Sequence, residues 1–103
     1  MSEVSVVDDQ EKHRFEGWVG SELAGFADYQ LTDELIVFTH TEVDEAYEGQ
    51  GVGSAIAGHA LAAVRDDGSR KVLPLCPFIS GYISRHREFV PLVYGAPPST
   101  AKD

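Results

Sequence analysis

Apolar and polar residues alternate from Arg14 to Val19 and again from Glu22 to Leu31, with Phe15, Trp18, Leu23, Phe26, Tyr29 and Leu31 as the apolar set. Gly20 and Ser21 separate the two runs. Rough alternation on either side of a two-residue break predicts a β-hairpin. Thr32 and Asp33 make a further turn before Glu34 to Val43, where the apolar run Leu35, Ile36, Val37 and Phe38 predicts a central strand. Ahead of the hairpin, Met1 to Lys12 is polar and acidic except for Val4, Val6 and Val7. That stretch fits either a short edge strand or a loose terminus.

The period then changes. Asp44 to Gly51 is acidic and glycine-bearing, hence a loop, and after it Val52, Ile56, Ala60 and Val64 recur at every fourth position with Leu61 beside them. This spacing predicts one amphipathic helix, stopped by Gly68. Lys71 to Cys76 is a second short apolar strand, ended by Pro77. A helix between two buried strands predicts a right-handed βαβ unit with the strands parallel. Pro77 suits the entry to a short helix from about Ile79 to His86, with Ile79, Tyr82 and Ile83 on one face. Phe89 to Tyr94 reads as a last strand or a packed extended tail, with Pro91 holding it at an edge. One domain over residues 1–94 is expected, followed by a disordered tail over 95–103, which is rich in Pro, Ser and Ala.

Composition narrows the function classes. A chain of 103 residues with 43% apolar content can bury one core without a metal or disulfide staple, and Cys76 has no second cysteine to pair with. With no leader-like start and no run near the roughly 20 apolar residues that span a bilayer, the expectation is a soluble, cytoplasmic protein away from membranes. The net charge of −9 comes from 17 acidic and 8 scattered basic side chains. Nucleic-acid binding needs clustered Lys and Arg, so it is not expected. An acidic surface steers cationic molecules inward, although it also serves plain solubility.

The segment Tyr47-Glu48-Gly49-Gln50-Gly51-Val52-Gly53-Ser54 sets three glycines at alternate positions between a strand and a helix. Such a loop aims backbone N–H groups at one point, and the helix start adds partial positive charge, so a phosphate group is the expected guest. The same glycines would equally serve a tight turn with a close helix-to-sheet contact. Two common nucleotide loops are excluded by spacing. Gly53-Ser54-Ala55 lacks the lysine of a Walker loop, and Ser54 and Lys71 stand where a Rossmann fingerprint needs a glycine and an acid.

These residues resemble the GNAT acetyltransferases, whose acetyl-CoA loop follows Gln/Arg-x-x-Gly-x-Gly/Ala. Gly51 and Gly53 match the two glycines, while Glu48 departs from the Gln or Arg. The compact YjdJ-type branch is closer still, through His40-Thr41-Glu42-Val43, the glycine loop, and Pro74-Leu75-Cys76-Pro77-Phe78 followed by Tyr82-Ile83. The resemblance spans about Phe15 to Val93. It implies an α+β fold of GNAT type: a mixed central sheet, a splayed parallel strand pair joined by a βαβ crossover, and two main helices. It also implies an N-acetyltransferase taking acetyl-CoA, with no metal, acting on an unidentified amine that is a small molecule or a lysine side chain. The alternative is a non-catalytic acyl-CoA-binding or sensing module. Amides of Gly49, Gln50, Gly51, Val52, Gly53 and Ser54 would hold the pyrophosphate, and the backbone of Glu42 and Val43 the pantetheine arm. Tyr82 and His86 would lie toward the cofactor as well, and a monomer or weak homodimer is expected.

Transfer to an amine needs a neutral nucleophile, a polarised thioester carbonyl and a proton for the leaving thiolate. The tyrosine that many GNAT enzymes use as acid aligns with Ser84 here, and Tyr82 points about 200° away on a helix. Cys76 is the substitute candidate, as acid or as nucleophile, expected to open onto the thioester rather than lie deep in the core. A small buried core residue is the other reading of it. His40 and Glu42 are two apart on a strand and leave one face, so either could take the amine proton, with Thr41 facing the opposite way. A hydrogen-bonded rim histidine fits His40 equally well.

Overall fold

The computed structural model describes residues 3–96. Five strands lie in chain order in one sheet: β1 (Ser5–Asp9), β2 (Arg14–Val19), β3 (Glu22–Leu31), β4 (Leu35–Val43) and β5 (Lys71–Pro74). Neighbours are antiparallel except β4 and β5, which are parallel and joined by the helix α1 (Val52–Asp67). A second helix, α2 (Pro77–Arg85), follows β5. The result is a mixed sheet with two main helices and a parallel pair crossed over by α1.

Local chemistry explains the elements. At the β2–β3 turn Gly20 takes φ +60°, the positive value that the first position of a two-residue primed turn requires. Thr32 Oγ1 accepts from the amides of Glu34 and Leu35, closing the next turn. Helix α1 starts and stops on left-handed glycines, Gly51 (φ +80°) and Gly68 (φ +76°), and the Gly68 amide donates to Val64 O. The core is the face of Phe15, Ala27, Tyr29, Ile36 and Phe38 packed on Val52, Ile56, Ala60 and Leu61 of α1 and Ile79 of α2. Close approach of α1 needs Gly17 and Gly25, since a Cβ at either would lie 2.9 Å from Ile56 Cδ1 or 3.2 Å from Val52 Cγ1.

The structure settles or corrects several expectations. The N-terminal valine stretch is an edge strand, paired from Ser5↔Trp18 to Asp9↔Arg14. The strand expected over Lys71 to Cys76 ends at Pro74, because Leu75 turns back to Leu73 O and Cys76 becomes the residue before α2. Pro77 is the first residue of α2, two earlier than periodicity placed the start, because its ring is preset for that position. Phe89 to Tyr94 is neither a full strand nor an extended tail. Arg87–Leu92 winds as 3-10 turns that seat Phe89 in the core, and Val93 alone bridges to Val72. Pro91 fits the turns and not a ladder, since it has no N–H to give. The tail expected to be disordered lies outside the described residues from 97 onward.

Candidate functional site

The β4–β5 ladder runs from Leu35↔Lys71 to Phe38↔Pro74 and stops. Strand β4 continues to Val43, hydrogen-bonded to β3 on one side and open on the other. Two features drive the splay. Thr39 is an extra residue in β4, since Phe38 faces Tyr29 and His40 faces Asp28, and such a bulge bends the strand and increases its twist. On the other strand, Pro74 ends β5 and Pro77 turns the chain into α2. One backbone bond spans the mouth, from the Cys76 amide to Phe38 O at 3.0 Å.

The glycine loop meets the open end of β4. Asp44 caps a 3-10 turn over Glu45–Tyr47 by accepting from the Ala46 amide at 2.9 Å. Gly49 and Gly51 then both take φ near +80°, which reverses the chain into α1. Among the described residues, the amides of Gly49, Gly51, Val52, Gly53 and Ser54 have no protein acceptor. Gly25 ties the two parts together, since a Cβ there would lie 3.2 Å from Val52 Cγ1 and 3.3 Å from Val43 Cα. The start of α2 closes the third side, with the Phe78 ring 2.8 Å from a Cβ placed on Gly53. Exposed Leu75 and Phe78 give this rim an apolar lip.

Not every residue expected here contributes in the same way. Gln50 spends its amide on Tyr47 O and its side chain on Ala46 O, which leaves no free donor toward the loop mouth. Glu48 is exposed, and the chain carries no Lys or Arg between Arg14 and Arg65. The loop itself therefore offers a phosphate backbone dipoles and no side-chain cation. Tyr82 and His86 stack with ring centres 3.9 Å apart, and His86 Nδ1 donates to Tyr82 O at 3.0 Å. The Tyr82 hydroxyl is packed against Gly58 in the α1–α2 interface, 2.8 Å from a Cβ placed there.

The candidates for chemistry divide between the two faces of the sheet. His40 Nε2 and Glu42 Oε1 are 3.0 Å apart and exposed. Their cross-strand partners, Asp28 and Phe26, put them on the face away from α1. Thr41 is paired with buried Ala27 on the helix side. There the Cys76 Sγ donates to Thr41 Oγ1 at 3.2 Å. Cys76 is 3% exposed, which corrects the expectation of an open thiol: the chain leaves β5 two residues before it and turns its side chain under α2. The sheet thus separates Cys76 from His40 and Glu42. Periodicity passed over Phe78 and Thr41. The signal for Phe78 was an aromatic residue out of phase with Ile79, Tyr82 and Ile83, directly after the helix-starting proline.

The profile of the GCN5-related N-acetyl-transferase family matches residues 14–92. The chain belongs to the GCN5-related N-acetyltransferase family. Its fold is also similar to the solution NMR structure of a GCN5-like protein from Staphylococcus aureus, with a TM-score of 0.68, 19% identity and 100% of both chains covered. No curated protein matches the chain. The GCN5-related match begins at β2 and ends in the 3-10 turns, so it takes in the splay, the glycine loop and α2 together. Among the described residues, no helix is long and apolar enough to cross a membrane.

Proposed function

We propose that this protein is an N-acetyltransferase that binds acetyl-CoA between the splayed strands and the glycine loop and passes the acetyl group to an amine. One observation carries the reading: the unpaired edge of β4 from Thr39 to Val43 leads directly to a loop with five free amides. An extended amide-bearing arm could pair with that edge like an added strand. A diphosphate suits the free amides at the start of α1. Glu42 and Val43 would supply the edge, and Gly49, Gly51, Val52, Gly53 and Ser54 the amides. The bound thioester would supply the acetyl group, and the chain's own task is to orient it and manage protons.

The exposed His40–Glu42 pair is the base in this proposal. Glu42 orients the imidazole by accepting from one ring nitrogen, and the other nitrogen or an intervening water takes the proton from the amine. The amine nitrogen then forms the new bond to the carbonyl carbon while the C–S bond breaks, and the thiolate leaves with a proton from solvent. Cys76, bonded to Thr41 beneath the mouth, acts by fixing the width of the splay. Its burial also supports a second reading, acyl-CoA binding without transfer, because the Cys76 thiol is buried and the Tyr82 hydroxyl is packed against Gly58.

Titration calorimetry with acetyl-CoA tests the binding half. Gly51→Ala adds a Cβ that meets nothing within 4 Å in the protein, but at φ +80° it strains the loop backbone, so circular dichroism must show the variant folded before binding is compared. Sharply weaker binding in a folded variant is expected, and unchanged affinity removes the basis of the proposal. Thiol release with a panel of amines then separates transfer from binding alone. Release that falls at least tenfold in His40→Ala supports the base, whereas binding without release in the wild type supports the second reading.

A further inference from the structure

We propose that a second binding site, for a small organic cation with an apolar body, lies at the end of the fold opposite the glycine loop. A cleft of about 390 Å³ opens there between the last turn of α1 and the near ends of β1 to β4. That volume falls within the range of small-molecule sites. The sixteen residues of α1 set its two ends roughly 24 Å apart, so the cleft is separate from the free amides at the other end.

The walls are chemically mixed in an ordered way. Phe15, Tyr29, Ile36 and Val64 form an apolar floor from buried side chains, and Leu31, 42% exposed, extends it to the surface. His13 stacks on Tyr29 with 10° between the rings and 5.7 Å between their centres, which raises one aromatic wall. It does so from φ +53°, making it the single non-glycine residue with positive φ among the described residues. Histidine tolerates that region better than most residues, yet it remains a conformation held by its surroundings.

Charge selects the sign of the guest. Asp8, Asp67 and Arg70 stand at the rim, two carboxylates against one guanidinium, in a chain whose net charge is −9. Arg70 Nε is already committed to Thr32 O at 2.7 Å. Asp8 accepts from the Tyr29 hydroxyl at 2.6 Å through Oδ1, and Ser69 occupies only Oδ2 of Asp67. Asp67 Oδ1 has no protein donor among the described residues, so an ammonium can bond there while its apolar body covers Leu31 and the floor. This site takes no part in the proposed transfer and stands or falls independently of it.

The test is a titration of the ¹⁵N-labelled protein at fixed pH with phenethylammonium, and with 2-phenylethanol and phenylacetate as neutral and anionic matches. Amide shifts at His13, Tyr29, Leu31 and Asp67 to Arg70 with the ammonium alone, and none from Gly49 to Ser54, are expected. Asp67→Asn, at an exposed position, should weaken binding by roughly five- to tenfold, as loss of one charge-assisted contact does. Equal binding of the alcohol or the acid overturns the proposal. So do shifts centred on the glycine loop, an unaltered affinity in Asp67→Asn, or no shift up to about 10 mM ligand.

Discussion

The Cys76 thiol donates to the Thr41 hydroxyl at 3.2 Å on the helix side of the sheet, just past the last β4–β5 pair. The contact ties β4 to the turn that enters α2, beyond the end of the β4–β5 backbone ladder. Cys76→Ala removes both a buried sulfur and this bond, and is expected to cost about 1–2 kcal/mol. For a domain of this size that lowers the melting temperature by several degrees, on the order of 4–8 °C per kcal/mol. Thermal denaturation followed by circular dichroism checks it. A protein mass unchanged after incubation with acetyl-CoA would agree with a positioning role, whereas an acetyl adduct absent from the Ala variant would restore the thiol as nucleophile.

Gly25 and Gly17 both lie under α1, yet their replacement should differ in cost. A Cβ at Gly25 would stand 2.7 Å from the backbone oxygen of Glu42, which cannot swing aside. At Gly17 the nearest atoms, at 2.9 Å, belong to the side chain of Ile56, which can rotate at the expense of core packing. Gly25→Ala is expected to destabilise by about 2–3 kcal/mol and Gly17→Ala by about 1 kcal/mol. Urea unfolding midpoints, compared at equal slope, order the two.

Glu16 is a carboxylate only 5% exposed on the sheet face away from α1. Arg14 Nε donates to it at 2.7 Å and the Trp18 indole at 3.1 Å, while the Arg14 guanidinium lies 4.8 Å over Phe26. Glu16→Ala leaves both donors without their acceptor and should cost about 1–3 kcal/mol. Glu16→Gln keeps an acceptor oxygen and should cost less. Chemical denaturation of the two variants measures the gap, and equal losses would assign the effect to packing alone.

Tyr29 carries a pH dependence. Burial, and then the hydrogen bond to Asp8, push its phenol well above the ordinary value near 10. The folded state therefore keeps this proton where the unfolded chain loses it. Above about pH 10 the unfolded state binds fewer protons, so stability falls as pH rises. The contribution is complete below that pH and lost on the way to the higher folded value. Tyr29→Phe should flatten this alkaline decline while costing about 1 kcal/mol at neutral pH for the lost bond to Asp8. The exposed Tyr47 phenol, raised chiefly by its bond to Glu22, leaves some residual slope. Unfolding curves between roughly pH 8 and 11 would show whether the decline follows Tyr29.

The sequence alone determined the local elements. Two runs of mixed apolar and polar residues, from Arg14 to Val19 and from Glu22 to Leu31, around Gly20 and Ser21 marked the hairpin, the four-residue recurrence of Val52, Ile56, Ala60 and Val64 marked α1, and Gly51 and Gly68 marked its ends. The free amides of the glycine loop were legible for the same reason, since a glycine-rich stretch entering a helix leaves those donors unpaired by geometry. Tertiary structure decided what depends on contacts between distant segments. The extra residue Thr39 in β4 is visible only against its partners in β3, and it sets which way the face shared by His40 and Glu42 turns: away from α1, leaving Thr41 toward Cys76. Nothing in the spacing of Cys76 and Pro77 showed that the thiol would be buried, because the turn at Leu75 is set by where α2 packs. The cleft beside Tyr29 was equally hidden: its walls come from β1, β2, β3, β4 and the end of α1, which meet only when the sheet and helix close on one core.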